Sequence, residues 1–207
     1  MIVPKKAGIV LVAIGAVLIL SALLLFFYNQ NKDERAGQEA QTILNDVQAT
    51  ITQRETGQDV GLLEAVETEL SIVMIDGYEY IGYLSIPELE LELPVMADWD
   101  YDRLKLAPCR QFGSTVTDDL VIAAHNYKRH FGALGQLQLG AAILFTDMDG
   151  NVISYRLERS ETIDPKNVDA VQNSGYDLVL YTCTYGGSNR VAVFCDREDS
   201  VQMEGNK

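Results

Sequence analysis

The chain has 207 residues, of which 47% are apolar, and its 30 acidic and 16 basic side chains give a formal net charge of −14. This length accommodates one globular domain with appendages. The acidic balance argues against nucleic acids and anionic lipid headgroups as partners, because both carry negative charge.

The first feature along the chain is an uncharged apolar run over residues 7–28. It is long enough to cross a bilayer, which takes about 20 apolar residues. Lys5 and Lys6 precede it, and basic residues stay preferentially on the cytoplasmic side. A cleaved signal peptide would have a shorter apolar region and a small-residue cleavage site, whereas this run ends in Leu-Leu-Leu-Phe-Phe-Tyr28. The pattern therefore favours a retained anchor, with the N-terminus inside and the remaining chain outside the cell.

Residues 29–75 are polar and compatible with helix. Apolar residues recur at a spacing of four in Ile43, Val47 and Ile51, and a second partial stripe runs from Leu62 to Leu70. Between them, Gly57-Gln58-Asp59 predicts a break between two helices. The pattern indicates a helical stalk that docks on the following domain, and a partly ordered linker is the alternative.

From residue 76 onward the pattern changes to short β-type segments. Leu89, Leu91 and Leu93 alternate with glutamates, which predicts a half-buried strand that ends at Pro94. Asp147 to Asn151 predicts a tight turn. The other predicted strands are residues 78–86, 120–124, 142–145 and 152–159. Several short strands with frequent turns predict a closed β-barrel or a sandwich.

The most informative stretch is a predicted hairpin near the end of the chain. Two apolar runs, residues 178–181 and 191–194, flank the turn-forming segment Gly186-Gly187-Ser188-Asn189. The hairpin places Cys183 at the end of one strand and Arg190 at the start of the next. A nearby guanidinium favours a reactive thiolate and offers donors to a developing oxyanion.

A catalytic cysteine needs a base, and the chain contains two histidines. His125 ends the apolar run 120–124, so we expect it at a strand terminus, where neighbouring strands can bring side chains together. His130 follows Lys128 and Arg129 in what reads as a polar surface loop without a partner. Cys–His pairs activate a nucleophile without a metal. The sequence has no C-x-x-C pair and no His/Cys cluster at metal spacing, so we expect no metal and no cofactor.

The chain has three cysteines in a domain predicted to lie outside the cell. At least one thiol must therefore be free unless the protein forms an intermolecular bridge. Cys195 at a strand end is compatible with simple packing, and Cys109 falls in a predicted loop. A bridge between Cys109 and Cys195 would leave Cys183 free, and the sequence leaves that pairing open.

At these residues the sequence resembles the sortase family. Leu180 to Tyr185, followed by Arg190, resembles the thiol signature of the family. Ala124-His125-Asn126, with Phe131-Gly132 and Leu134 after it, resembles the histidine segment. Residues 80–87, leading into 93–95, resemble the first strands, so the resemblance runs from about Tyr78 to Asp196.

The Thr-Cys-Thr-Tyr and His-Asn…Phe-Gly pieces favour the class B-like members, with the subclass left open. Ala124 stands where the family usually has Gly, and only six residues separate Cys183 from Arg190. The resemblance implies an eight-stranded sortase-type β-barrel in a mostly β protein. The implied organisation is a cytoplasmic N-terminus (1–6), a transmembrane anchor (7–28), a helical stalk (29–75), the catalytic barrel (76–200) and a C-terminal tail (201–207).

The resemblance also implies a membrane-anchored cysteine transpeptidase at the outer face of a Gram-positive-type cell. Cys183 would attack a C-terminal sorting motif of an exported protein and form a thioacyl enzyme. His125 would act as acid and base, and Arg190 would stabilise the oxyanion. The acceptor would be an amine of the cell wall or of a pilin. A thiol peptidase that releases its product to water and a non-catalytic extracellular β-domain are the alternatives.

The apolar run and its flanking lysines generate a topology prediction. In intact cells, an added protease should degrade the chain beyond residue 28 and leave a tag before Lys5 untouched, because only the former is expected outside. Recovery of the whole chain in the membrane-free cytosolic fraction would contradict the predicted anchor.

Overall fold

A computed structural model describes residues 5–56 and 70–198. The chain divides into two compact units, one ending at Arg35 and the other beginning at Ala36. Helix α1 (Lys5–Glu55) contributes to both. Within the described chain, it is the one helix long and apolar enough to cross a membrane, and its apolar side chains from Ile9 to Tyr28 are exposed. The predicted break at residues 57–59 and most of the second apolar stripe lie outside the described residues.

The second unit is built around a closed eight-stranded β-barrel, as predicted. The described strands of this unit are β1 (Val73–Ile75), which lies outside the closed barrel, and the eight barrel strands β2 (Tyr78–Ile86), β3 (Leu91–Met96), β4 (Cys109–Phe112), β5 (Leu120–Ala123), β6 (Ala142–Asp147), β7 (Val152–Ile163), β8 (Leu178–Cys183) and β9 (Arg190–Arg197). The order β2-β3-β4-β5-β8-β9-β7-β6 closes through β2–β6 pairing, and β1 adds an antiparallel edge to β2. A single helical turn, α2 (Asp169–Gln172), lies in the β7–β8 connection.

Closure of the barrel depends on a close approach at Gly82. This residue pairs with Val95 of β3 and with Asp147 of β6, at a φ of +143°. A Cβ atom at this position would lie 2.0 Å from the carbonyl oxygen of Thr146. Only glycine allows the two closing strands to meet here.

Two local predictions were wrong. Pro94 does not end its strand, because β3 continues to Met96 with Pro94 paired to Tyr83. The missing N–H is tolerated because the second edge of β3 pairs with β4 only at Met96. Cys109 does not lie in a loop but begins β4, where it is completely buried.

The C-terminal half of α1 packs on the outside of the barrel. The buried residues on this helix recur every three or four positions: Ala36, Ala40, Leu44, Val47 and Ile51. Val47 and Ile51 join a cluster with Tyr80, Met96 and Met148, which lie on or beside the first strands. Ion pairing of Arg54 with Asp149, at 2.6 Å, fixes the end of the helix on the β6–β7 turn.

The contact at Gly82 generates a stability prediction. Gly82→Ala should destabilise the barrel by about 3 kcal/mol or more, because the added methyl group clashes with backbone in a left-handed conformation. Urea unfolding of residues 31–207 measures the change. Gly135→Ala is the matched control, since its new Cβ would meet only Val191 at 3.4 Å. Equal stability of the two variants would contradict the packing at Gly82.

Candidate active site

Strands β5 and β8 run parallel and bring two of the predicted site residues together. Ala123 is paired with Tyr181, and the backbone N–H of Ala124 donates to the Tyr181 carbonyl at 3.2 Å. His125 and Cys183 each lie two residues beyond that pair. Because both strands end at the same edge of the sheet, the backbone at His125 lies next to the end of β8, where Cys183 is the last residue.

Two side-chain hydrogen bonds hold the beginning of the His125 segment against β8. Thr182 Oγ1 donates to the carbonyl of Ala124 at 2.8 Å, and this hydroxyl is buried. Asn126 Nδ2 donates to the carbonyl of Thr184 at 3.4 Å. The residues on either side of His125 are therefore tied to those on either side of Cys183.

Arg190 lies directly across the β8–β9 hairpin from Cys183, as the sequence predicted. Its Nη1 donates to the carbonyls of Gly187 and Asn189 at 3.2 and 3.1 Å. Gly186 and Gly187 both have positive φ, which lets the loop fold back over the strand end. The guanidinium is held on its own loop, one strand away from the thiol.

A groove of about 180 Å³ runs along the outer face of the barrel and reaches Arg190. One side is formed by Trp99 and Tyr101, whose rings stack edge to face at 5.0 Å. The opposite side is the segment from Ile163 to Val171. Tyr181 and Gln111 lie between the two sides, and the Tyr181 hydroxyl donates to the Gln111 side chain. This shape accommodates an extended chain with apolar side groups.

The three thiols differ in how deeply they are buried. Desolvation raises the pKa of Cys109 to about 12 and also raises the pKa of Cys195, so both stay protonated. Both are completely buried in different apolar clusters, and all three thiols are free. Cys183 is only half-buried. It is thus the thiol able to react.

The environment of His125 favours a neutral imidazole. Burial lowers its pKa below the usual value, and the positive charge of Lys105 lowers it further. Lys105 belongs to the 3-10 turn Arg103–Lys105, which follows the Trp99–Tyr101 side of the groove. A neutral ring next to the thiol can accept a proton.

The sequence placed His130 in a polar loop without an evident partner, and the structure buries its side chain completely. The charged neighbours Lys128 and Arg129 are exposed, and they misled the sequence interpretation. The groove residues Trp99 and Tyr101 were not identified from the sequence either. Their signal is the alternation of acidic and aromatic residues from Asp98 to Asp102, outside any predicted strand.

Comparison with known proteins agrees with this architecture. The family model described as "Sortase domain" matches residues 84–198. Sortase C1 from Streptococcus suis is 24% identical over 60% of this chain and 76% of its own, with a TM-score of 0.52. A Clostridium perfringens sortase D5 transpeptidase is 16% identical over 78% of this chain and 99% of its own, with a TM-score of 0.59.

A sortase C from Clostridium perfringens, solved with the C-terminal cell wall sorting motif, is 18% identical over 78% of this chain and 90% of its own, with a TM-score of 0.52. At these identities the solved structures share the fold, and they do not assign the subclass. No curated protein matches the chain.

The burial of the thiols generates a labelling prediction. A small alkylating reagent should modify Cys183 first, because Cys109 and Cys195 are buried and held in the protonated form. Peptide mapping by mass spectrometry after brief treatment of the folded protein identifies the site. The Cys183→Ala variant should take up almost no label under the same conditions. Modification of Cys109 or Cys195 before Cys183 would contradict the assignment.

Proposed function

Because the chain belongs to the sortase family, whose members are cysteine transpeptidases, we propose that it transfers exported proteins to an amine acceptor through a thioacyl intermediate on Cys183. The observation that supports this most strongly is the convergence of three strand termini. The parallel register of β5 and β8 puts the backbone at His125 next to the end of β8, where Cys183 lies. The pairing of β8 with β9 puts Arg190 opposite Cys183.

In the first half of the reaction, the Cys183 thiol gives its proton to neutral His125, and the resulting thiolate attacks a backbone carbonyl carbon of the substrate. The carbon–nitrogen bond then breaks, and the leaving amine takes a proton from the His125 imidazolium. The product of this step is a thioester between Cys183 and the retained part of the substrate. Placing acid and nucleophile at one sheet edge makes both available without further rearrangement of the backbone.

In the second half, an incoming amine gives a proton to neutral His125 and attacks the thioester carbon. The carbon–sulfur bond breaks, a new amide forms, and the Cys183 thiol is regenerated. The lowered pKa of His125 suits this step, since the ring is available as a base at neutral pH.

Arg190 is proposed to stabilise the oxyanion that develops in both halves. Its cross-strand position puts a permanent positive charge beside the thiol. The two carbonyls that now accept from its Nη1 keep the guanidinium near the site, and the remaining guanidinium N–H groups are available as donors.

The groove defines the kind of substrate. An extended peptide with apolar side groups fits between the Trp99–Tyr101 side and the Ile163–Val171 segment, and Arg190 marks its reactive end. We propose that this peptide is a C-terminal sorting motif, the kind of ligand with which the Clostridium perfringens sortase C was solved. The acceptor is proposed to be an amine of the cell wall or of a pilin.

The apolar part of α1 is proposed to anchor the protein at the outer face of the membrane, with the N-terminus in the cytoplasm. The candidate span has a mean hydropathy of 3.1 and begins at Gly8. Anchoring would confine the enzyme and a membrane-tethered substrate to the same thin layer, which raises their effective concentration.

The proposed chemistry predicts the effect of three substitutions. Cys183→Ala and His125→Ala should lower turnover by about three orders of magnitude or more. Arg190→Ala should lower it by about a hundred- to a thousandfold, as expected for an oxyanion donor. Arg156→Ala is the matched control, because Arg156 is exposed on β7 and, among the residues that the structure describes, forms an ion pair with Glu198 alone. Each variant should unfold at the same urea concentration as the wild type.

The assay mixes residues 31–207 with candidate sorting peptides and an amine, and mass spectrometry detects the adduct and the product. A thioacyl adduct on Cys183 and an amine-linked product are expected. An adduct that yields only free acid, whatever amine is supplied, would identify a peptidase. Turnover that persists in Cys183→Ala would overturn the proposed nucleophile.

A further inference from the structure

Three aromatic rings form a continuous stack that begins at His125. The His125 and Tyr127 ring centroids are 4.9 Å apart with the planes tilted by 39°. Tyr127 contacts His130 edge to face, with the centroids 5.4 Å apart. The stack therefore leads from the half-buried His125 to the completely buried ring of His130.

The far end of the stack lies against α1. Ala36 of that helix is buried, and its backbone carbonyl favours the protonated form of His130. Ala40 packs in the same cluster as Phe131 and Leu134, which directly follow the stack. At Gly37 a Cβ atom would lie 2.8 Å from the Arg129 side chain, so helix and segment touch with little space to spare. Small residues on α1 permit this approach.

A polar side chain such as that of His130 is unusual at a completely buried packing position. Neither of its ring nitrogens makes a well-aligned hydrogen bond in the part of the chain that the structure describes, although the Ala36 carbonyl lies close to the ring. Burial lowers its pKa to about 4, against the opposing effect of the Ala36 carbonyl, so the ring is neutral at neutral pH. A buried polar ring without a well-aligned hydrogen bond costs stability relative to an apolar one. Packing alone therefore does not account for this side chain.

The orientation of the His125 ring also needs an explanation. A catalytic base is normally oriented by a third group that hydrogen-bonds its second nitrogen. Among the described residues, no hydrogen bond reaches either nitrogen of the His125 ring, and the ring contacts that of Tyr127. Stacking is thus the interaction available to fix the ring plane.

We propose that Tyr127 and His130 are positioning residues that orient the His125 imidazole toward Cys183 by stacking it against a ring wedged under α1. The inference rests on the proposed function, because it assumes that His125 transfers protons. It assigns to the docked half of α1 a part in catalysis, through its contacts with the segment that follows His125. Proton transfer requires a reach of about 3 Å, so a small rotation of the ring is costly.

The first test is a titration of His125 followed by NMR of the untagged 207-residue chain in detergent micelles, with its histidines isotopically labelled. The chain has only two histidines, and His125→Asn assigns their signals. The groups that influence His125 are Lys105 by charge, and Tyr127, His130 and Cys183 by proximity. Tyr127→Ala exposes the ring while leaving Lys105 in place.

Because burial is the main cause of the lowered His125 pKa, Tyr127→Ala should raise that pKa toward about 6.5. Tyr127→Phe keeps the ring and should hold the pKa at the wild-type value. An unchanged His125 pKa in Tyr127→Ala would overturn the stacking contact, whatever the activity of the variant.

The second test separates positioning from stability. Tyr127→Ala and His130→Ala should lower kcat by about tenfold to a hundredfold, with KM changed by less than about twofold, because misorientation affects proton transfer and leaves the groove intact. Tyr127→Phe should recover the kcat that Tyr127→Ala loses. Ile51→Ala loosens the same helix at its other end, near Tyr80 and Met148, and should lower the melting temperature without lowering kcat.

The outcomes distinguish this inference from the proposed function. Full turnover in His125→Asn would remove the acid–base role, and with it both proposals. Loss of turnover in His125→Asn, together with wild-type kcat in Tyr127→Ala, would overturn the positioning role alone. An equal fall of kcat in Ile51→Ala would also overturn it, since the effect would then follow stability. If His130→Ala does not fold, Tyr127→Ala decides, because Tyr127 is only half-buried.

Discussion

The parallel register between β5 and β8 is the constraint on which the site depends. Leu120 pairs with Leu178, Val121 with Val179, and Ile122 with Leu180. The first and third pairs face the barrel interior, and the second belongs to an outer cluster. Both faces of both strands are buried, so a slip by one residue would put every side chain on the wrong face. The same register that fills the core brings the His125 segment to the end of β8 that carries Cys183.

The outer face of the barrel is covered by two separate elements, and the groove lies between them. The C-terminal half of α1 covers the first strands, in a cluster that contains Val47 and Ile51. The β7–β8 connection, with Val171 of α2, covers the other side. Tyr181 packs against both clusters and lines the groove. The groove is therefore the strip of sheet that neither covering element reaches.

Sequence patterns predicted the features that depend on local order. Alternation and turn residues located most of the strands, and the hairpin between Cys183 and Arg190 was confirmed in its register. Local patterns could not supply the parallel β5–β8 pair, since the two strands are separated by β6 and β7 along the chain. Family resemblance, rather than periodicity, suggested that His125 and Cys183 meet.

The errors have a common physical origin in contacts between distant segments. The sequence predicted that Pro94 ends its strand. The strand β3 continues because its edge toward β4 is largely unpaired and therefore tolerates the missing N–H of proline. His130 reads as a surface residue because its neighbours are charged, yet α1 covers it from almost a hundred positions earlier in the chain. The two sides of the groove come from two different connections, β3–β4 and β7–β8, so no single stretch of sequence contains their pattern.

The separation of the three thiols has a consequence for oxidative damage. Oxidation of an exposed thiol to a sulfenic acid is reversible when a second cysteine can resolve it as a disulfide. Cys183 is half-buried at the end of β8, whereas Cys109 and Cys195 are enclosed in two different apolar clusters. Neither can reach the oxidised sulfur without unfolding part of the barrel. An oxidised Cys183 must therefore be reduced by a thiol from outside this chain, or it proceeds to the irreversible sulfinic acid.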